Sequence, residues 1–453
     1  MNRTPAPHLP PEEALAPPAI ARLQRDRLAA MLREVLPANA FYRRKFDGID
    51  FDPHRQPIHT LPLTTRGELE RDQLESPPYG TNLTYPLDTY CRYHQTSGTG
   101  GRPLRWLDTA EGWAWFRDCW QVIFRAAGAK PGDRALFPFS FGPFIGFWAA
   151  FEAAHSMGLL AIPAGGLSTT ARLRMLLDND AAVVCCTPTY ALRMAEVAAE
   201  ENIDLTRSKV RSLIVAGEPG GSIPAIRSKI EAAWAARVHD HSGMTEMGAV
   251  SFECLPNPGG LHVTESQFIA EVIDPDTLQP RAEAGASEGE LVLTNLGRWG
   301  SPLIRYRTGD LVRLVRPDRP CPCGRWFARL EGGILGRIDD MFIVRGNNVF
   351  PTAVEAVIRR FPEVAEFRLT VTDGVAEGGP AGRPLGNALT QVQLEIEPAR
   401  GTPQVVASTL ADRLGAALHQ SLSFRAEVLE VPPGTLPRFE LKAKRFVRRR
   451  VQT

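Results

Sequence analysis

The sequence predicts an α/β protein. Its expected parts are a large N-terminal domain of βαβ-type sheets, a β-rich subdomain and a small C-terminal α+β domain. Three observations predict this. Between about residues 110 and 240, helical segments alternate with short β-branched runs such as "AAVVCCT" and "SLIVAG", the pattern of parallel βαβ units. Between about 260 and 345 the texture turns strand-rich, with "SQFIAEVIDPDT", "GELVLTNL" and a turn at Asp274-Pro275-Asp276. Beyond Arg337 a third texture predicts a helix from about Thr352 to Arg360, strands at "FRLTVTD" and "ALTQVQLEIEP", a helix near 403–419 and a last strand at "AEVLEV".

The chain has 453 residues, too many for one simple core. The expected division is a disordered tail over 1–19, an N-terminal domain over 20–337 and a C-terminal domain over 338–453. The tail, "MNRTPAPHLPPEEALAPP", is rich in proline and lacks the apolar core of a signal peptide. From Ile20, apolar residues at helical spacing (Leu23, Leu28, Met31, Leu32, Val35) predict an amphipathic helix that Pro37 ends.

Hydrophobic content of 43% and charged content of 23% are those of a soluble globular chain. A formal net charge of +1 points toward neither nucleic acid nor membrane. The most apolar stretch, "ALFPFSFGPFIGFWAAF", is broken by Pro138, Pro143 and glycines and closed by Glu152, short of a membrane span. Seven cysteines, with Cys185 and Cys186 adjacent in a strand-like run, make no disulfide framework and suit a reducing cytoplasm. The basic run Arg448, Arg449, Arg450 reads as a solvated tail.

The stretch "TSGTGGRP" (96–103) carries the first chemical signal. Glycines expose backbone N–H groups that can line an anion-binding concavity. Ser97 and Thr99 add hydroxyls, and Arg102 adds a positive charge. The string is not a Walker A loop, which needs G-x-x-x-x-G-K-[ST]. On its own it reads as a phosphate cradle or as an ordinary turn.

Further motifs follow in order: "VAGEPGG" (215–221), "DHSGMTEMG" (240–248), "IRYRTGDL" (304–311), "GRIDDMFIVRGNNVFPTAVE" (336–355) and "LPRFELKAKR" (436–445). With the loop, they resemble the acyl-adenylate-forming superfamily of acyl-CoA synthetases, peptide-synthetase adenylation domains and luciferases. Within it, "RGNNVFP", "CPCGR" and "LPRxExKAxR" look most like phenylacetate–CoA ligases. The resemblance spans roughly residues 20 to 450.

The resemblance implies ATP-dependent activation of a carboxylic acid to an acyl-AMP with release of pyrophosphate, then transfer to the thiol of CoA. Thr96, Ser97, Gly98, Thr99, Gly100, Gly101 and Arg102 would embrace the β- and γ-phosphates. Gly100 and Arg102 stand where the family commonly has Thr and Lys, and Arg keeps the charge. Glu246 would hold Mg²⁺, a hard cation that takes oxygen ligands, and Thr245 would hydrogen-bond the α-phosphate. Asp310 would accept from the ribose hydroxyls, with Arg337 beside the sugar. Gly217, Glu218 and Pro219 would line the adenine and acyl pockets, and Asp240, His241, Ser242, Gly243 and Met244 would complete the nucleotide site. Ser242 stands where the family usually stacks Tyr or Phe on the purine. Either backbone and apolar contacts hold the base, or His241 partly substitutes for the ring. Lys442 is the expected catalytic cation between carboxylate and α-phosphate, with Lys444 as runner-up. Asp339 fits the hinge of a mobile C-terminal domain, and Gly346 fits the tunnel for the pantetheine arm.

Cys254, His262, Cys321 and Cys323 form a candidate Cys₃His set for structural zinc, against the alternative of unmetallated thiols; a similar arrangement occurs in some phenylacetate–CoA ligase relatives. Phe141 and Phe144, with Gly217 and Glu218 behind, are expected at the acyl pocket, which suits an aryl acid. The alternative acceptors are a carrier-protein pantetheine arm or an amine. A non-catalytic ATP-binding protein of the same fold is the third reading, and a homodimer is left open.

Overall fold

The alternating helices and β-branched runs fold into five parallel strands in the spatial order Leu160–Pro163, Arg134–Phe137, Val183–Cys186, Ser212–Val215 and Arg237–Met244. The structure is a computed structural model that describes residues 9–96, 102–143, 145–282, 285–344, 347–373, 390–399, 401–439 and 443–450. Val183–Cys186 and Ser212–Val215 are buried at every position, because helices cover both faces of a parallel sheet. Side chains alternate across it. Cys185 and Ile214 enter one core with the helices Ala110–Ala126 and Trp148–Ser156, while Cys186, Leu213 and Val215 enter another with Thr169–Asp178, Pro188–Glu200 and Pro224–Trp234.

The β-rich segment extends this same sheet. Six antiparallel strands continue from Arg237–Met244 in the order Gly248–Cys254, Asn257–Val263, Arg329–Arg337, Tyr306–Val315, Ala286–Asn295 and Phe268–Ile273, giving eleven strands in all. The Asp274 carboxylate closes the expected turn by accepting from the N–H groups of Asp276 and Thr277, both at 2.9 Å.

The C-terminal region forms a separate four-stranded sheet ordered Glu427–Glu430, Gln391–Pro398, Val364–Asp373 and Phe446–Arg450, with an antiparallel centre and parallel outer pairs. The helices Pro351–Ile358 and Gln404–Leu422 bury Val354, Val357, Leu410, Leu414 and Leu418 against it. The basic run at 448–450, expected as a solvated tail, is part of its edge strand.

Two expectations at the N-terminus are corrected. Residues 9–19, expected within a disordered tail, hold a 3₁₀ turn over Pro11–Glu13 and the start of the helix Pro17–Ala38. That helix carries Pro37 in its last turn and ends one residue later, where Asn39 caps the helix Ala40–Lys45 by accepting from Tyr42 N–H. Glu13 is the anchor of the early segment. Its carboxylate is 2% exposed and accepts from Arg325 (Nε at 2.9 Å) and Arg125 (Nη2 at 2.5 Å). Composition favours disorder here, but two arginines more than a hundred residues away need this carboxylate.

Removing one partner of a buried ion pair strands the other charge. Glu13→Ala is therefore expected to destabilise the protein by about 3 kcal/mol. Urea unfolding checks this, and a loss below about 1 kcal/mol would mean that Arg325 finds water instead.

Candidate active site

The glycine-rich loop joins the antiparallel strands Tyr90–Gln95 and Arg105–Thr109, with Gln95 opposite Arg105. Ser97, Gly98, Thr99, Gly100 and Gly101 lie outside the described residues, and Thr96 and Arg102 flank them. Thr96 is buried and clips the loop shut: its N–H donates to Leu104 O and its Oγ1 accepts from Leu104 N–H, both at 2.9 Å. Arg66 reaches the same place from the first turn of the helix Arg66–Glu75, whose capping box pairs Thr65 with Glu68. Its Nη2 donates to Thr96 Oγ1 (3.4 Å) and to the carbonyl of Arg102 (3.3 Å).

The other end of that guanidinium lies 3.5 Å from Glu246 Oε1, which also accepts from the Tyr306 hydroxyl at 3.3 Å. Both partners address Oε1, so Oε2 is the oxygen a hard cation would take. Thr245 and Glu246 sit in the turn between Arg237–Met244 and Gly248–Cys254. Arg298 holds that turn. Its Nη1 donates to the carbonyls of Thr245 (2.9 Å) and Glu246 (2.8 Å), and its Nε and Nη2 grip Asp108 at 2.6 and 2.8 Å. Arg66, Arg298 and Tyr306 were not among the expected site residues. Arg66 and Arg298 are isolated arginines with no motif around them, whereas Tyr306 lies within "IRYRTGDL", the motif that also carries Asp310.

Asp310 faces Arg337 across the antiparallel strands Tyr306–Val315 and Arg329–Arg337. Arg337 Nη1 bonds Asp310 Oδ1 at 2.9 Å, and Nη2 bonds the exposed Asp339 carboxylate at 3.0 Å. The expected ribose acceptor, its neighbouring arginine and the expected hinge residue thus form one chain of contacts.

Glycines shape the wall opposite. Gly217 has φ +93°, in the left-handed region that favours glycine. A Cβ on Gly221 would come within 2.5 Å of the Asp240 carboxyl carbon. Asp240 accepts from Ser222 Oγ, and burial pushes its carboxyl up to about 7. Pro219 is exposed beside them. Glu218 does more than line a pocket: Oε1 accepts from Thr189 N–H at 2.8 Å and Oε2 from Ala443 N–H at 2.6 Å. Burial raises its carboxyl above the ordinary glutamate value.

His241 turns away from solvent. It is buried edge-on to Trp120, with ring centroids 4.4 Å apart and planes at 73°, and neither ring nitrogen has a hydrogen-bond partner among the described residues. Phe147 lies 6.5 Å from it and continues through Phe139 to Phe141, which packs on Trp148 at 4.4 Å. The ring therefore adjoins the aromatic wall. Ser242 Oγ pairs with Ser251 Oγ at 2.6 Å, Gly243 meets the Gly248 carbonyl too closely for a side chain, and Met244 is half-buried. Phe144, Gly346 and Lys442 lie outside the described residues, and Lys444 is exposed.

The four candidate metal ligands converge. The Sγ atoms of Cys254, Cys321 and Cys323 and a His262 ring nitrogen all lie within 4.8 Å of one another. Cys254 Sγ is 3.7 Å from Cys321 Sγ and 3.6 Å from His262 Nε2, and Cys323 Sγ is 3.8 Å from that Nε2. A tetrahedron with metal–sulfur bonds of about 2.3 Å has edges of about 3.8 Å, so the set fits zinc. His262 Nδ1 lies 3.1 Å from the Phe327 carbonyl, which leaves Nε2 as the ligand. Hydrogen bonding among the three thiols splits them, holding Cys321 and Cys323 below and Cys254 above the ordinary thiol value.

Comparison with known proteins decides the family. The chain is 30% identical over 443 residues to phenylacetate-coenzyme A ligase of Thermus thermophilus, a match covering 95% of this chain and 96% of that one. It belongs to the phenylacetate–CoA ligase family. The ligase of that name from Escherichia coli is 32% identical over 369 residues, or 79% of this chain and 80% of its own. The family model for the AMP-binding enzyme C-terminal domain matches residues 346–450. Among solved structures, 2-hydroxyisobutyryl-CoA ligase in the postadenylation state with 2-HIB-AMP matches with TM-score 0.87 at 26% identity, over 98% of this chain and 94% of that one. The same ligase with 2-HIB-AMP and CoA in the thioesterification state matches at 0.70 and 27% identity, over 99% and 95% of the two chains. Among the described residues of this family member, no helix is long and apolar enough to cross a membrane.

Burial holds the His241 imidazole down at about 4, against 6.5 in the unfolded chain. Between those values the unfolded state binds a proton that the folded state refuses, so the stability present above pH 6.5 falls as pH drops toward 4. His241→Leu, which keeps the packing and removes the titration, should lose about 3 kcal/mol less over that window than the parent. Asp240 titrates in the opposite sense and is common to both proteins, so it cancels. Equal losses in urea midpoints measured from pH 7 to 4 would show that the ring is hydrated.

Proposed function

We propose that the protein joins an aromatic carboxylic acid to coenzyme A through an acyl-adenylate. The observation that carries this reading is the reach of Arg66, which bonds both flanks of the glycine-rich loop and lies beside Glu246. One cation thereby ties the phosphate cradle to the carboxylate suited to Mg²⁺. When bound there, Mg²⁺ would neutralise charge on the triphosphate.

In the first step an oxygen of the acid attacks the α-phosphorus of ATP. The acyl–O–P bond forms, the bond from α-phosphorus to the bridging oxygen breaks, and pyrophosphate leaves with that electron pair. Lys442 offsets the charge that develops between the two anions, and Thr245 orients the α-phosphate. Asp310 accepts from the ribose hydroxyls, and Arg337 pairs with that carboxylate at 2.9 Å. In the second step the CoA sulfur attacks the acyl carbon, and the C–O bond to AMP breaks. The C-terminal domain, from 338 onward, turns about Asp339 between the steps, and Gly346 lies on the pantetheine path. The aromatic wall of Phe139, Phe141, Phe147 and Trp148, with Trp120 beside His241, supports an aryl acid over a short aliphatic one.

Pyrophosphate exchange measured over a panel of carboxylic acids tests this. Aryl and arylacetic acids should exceed acetate by about tenfold or more in kcat/KM, and AMP should accumulate only when CoA is added. Exchange without any CoA consumption would favour another acceptor. Exchange with no acid on the panel would sink the reading.

Cys254, His262, Cys321 and Cys323 are proposed to hold one structural zinc. A site closed by four protein ligands leaves no position for substrate, so its role is to tie the strand pair Gly248–Cys254 and Asn257–Val263 to the 321–325 knuckle. Elemental analysis should return about one equivalent per chain, lost in Cys323→Ser. Less than about half an equivalent in folded parent protein counts against the site.

A further inference from the structure

The contact between Glu218 and Ala443 joins residues 225 positions apart and links the part of the chain that carries the eleven-stranded sheet to the part that carries the four-stranded one. It is part of a small closed circuit. Glu218 Oε1 accepts from Thr189 N–H, in the first turn of the helix Pro188–Glu200, where a carboxylate is favoured by the helix dipole. Thr189 Oγ1 accepts from Arg445 Nη1 at 3.0 Å. Arg445 is fastened within the C-terminal region by Glu366, through Nε at 2.5 Å and Nη2 at 2.9 Å. Thr189 and Glu218 on one side therefore hold Ala443 and Arg445 on the other through two hydrogen bonds, one to the Glu218 carboxylate and one to the Thr189 hydroxyl, and the Thr189 N–H fixes the carboxylate between them.

The position of this circuit gives it meaning. The N–H of Ala443 belongs to the peptide unit that joins it to Lys442, and that unit is planar. A bond that fixes the N–H therefore restrains how the preceding residue is presented. The overall arrangement also matches a postadenylation neighbour more closely than the thioesterification form of the same ligase, with TM-scores of 0.87 and 0.70.

We infer that Glu218 is a positioning residue: its carboxylate latches the peptide after Lys442 to the large domain for the adenylation half-reaction and lets go for thioester formation. The inference rests on the role proposed for Lys442. It assigns Glu218 to one of two conformations, so its loss must affect the two half-reactions unequally.

The experiment compares Glu218→Ala, Glu218→Gln and Thr189→Val with the parent and with Lys442→Ala, using the full-length protein. Adenylation is read as pyrophosphate exchange, and the second half-reaction as CoA consumption from supplied acyl-adenylate. Glu218→Ala should lower kcat of exchange about tenfold or more, the effect of losing a charge-assisted hydrogen bond, and should lower it several-fold more than kcat of the second half-reaction measured at saturating acyl-adenylate. Glu218→Gln, whose amide oxygen still accepts one N–H, should fall between Ala and parent. Thr189→Val, which removes only the Arg445 contact, should show the same split more weakly and serves if Glu218→Ala does not fold. Equal loss in both half-reactions, or no loss in exchange, overturns the latch. If Lys442→Ala leaves exchange intact, the reading of the site itself fails, whatever Glu218 does.

Discussion

A single buried charge organises the candidate active site. Arg298 is wholly out of water, as is its partner Asp108, and taking two such ions from water costs several kcal/mol each unless hydrogen bonds offset it. Here four of the five guanidinium N–H groups are used. Asp108 takes two bonds, the carbonyls of Thr245 and Glu246 take two more, and the rings of Trp106 and Phe116 cover the guanidinium at 5.0 and 4.9 Å. Asp108 lies on the strand after the glycine-rich loop, and Arg298 lies in the connection before Tyr306. The pair therefore fixes three distant segments, and the Glu246 turn takes its place from them.

From that anchor the rest follows outward. A turn held by its own carbonyls can present Glu246 without moving, and Tyr306 and Arg66 then set the carboxylate's direction. The eleven-stranded sheet makes these groups one body, because Asp310, Asp240 and the motif turn all sit on or beside its strands. Among the described residues, polar contacts at Glu218 and Thr189 join the C-terminal region to this body. Polar junctions of this kind exchange readily with water, whereas an apolar seam would not.

Much of this was legible in the sequence, for identifiable reasons. Motifs built around glycine, such as "VAGEPGG", announce themselves because a backbone that must pass close to Asp240 tolerates nothing larger than Gly221. The parallel strands were visible as unbroken β-branched runs. The Cys₃His set was visible because such ligands are rare in a chain with seven cysteines. What stayed hidden depends on long-range pairing. Arg298 in "LGRWG" and Arg66 in "TTRGE" look like any surface arginine, since nothing local reveals a partner up to 190 residues away. Glu13 was masked by prolines that suggest disorder. The surroundings of His241 were hidden for a related reason: the motif does not show that its ring packs edge-on against Trp120, a residue distant in the sequence.

The ordered segment around Glu13 has a practical side. Leu9 already lies against Gly324, where an added Cβ would sit 3.1 Å from its methyl group, and Gly324 belongs to the cysteine knuckle. Whatever is fused ahead of Leu9 for purification is thus tethered near a cluster of thiols and an imidazole. An affinity handle made of histidines would bring competing ligands to that spot, and metal contents obtained with it would count the handle as well as the protein.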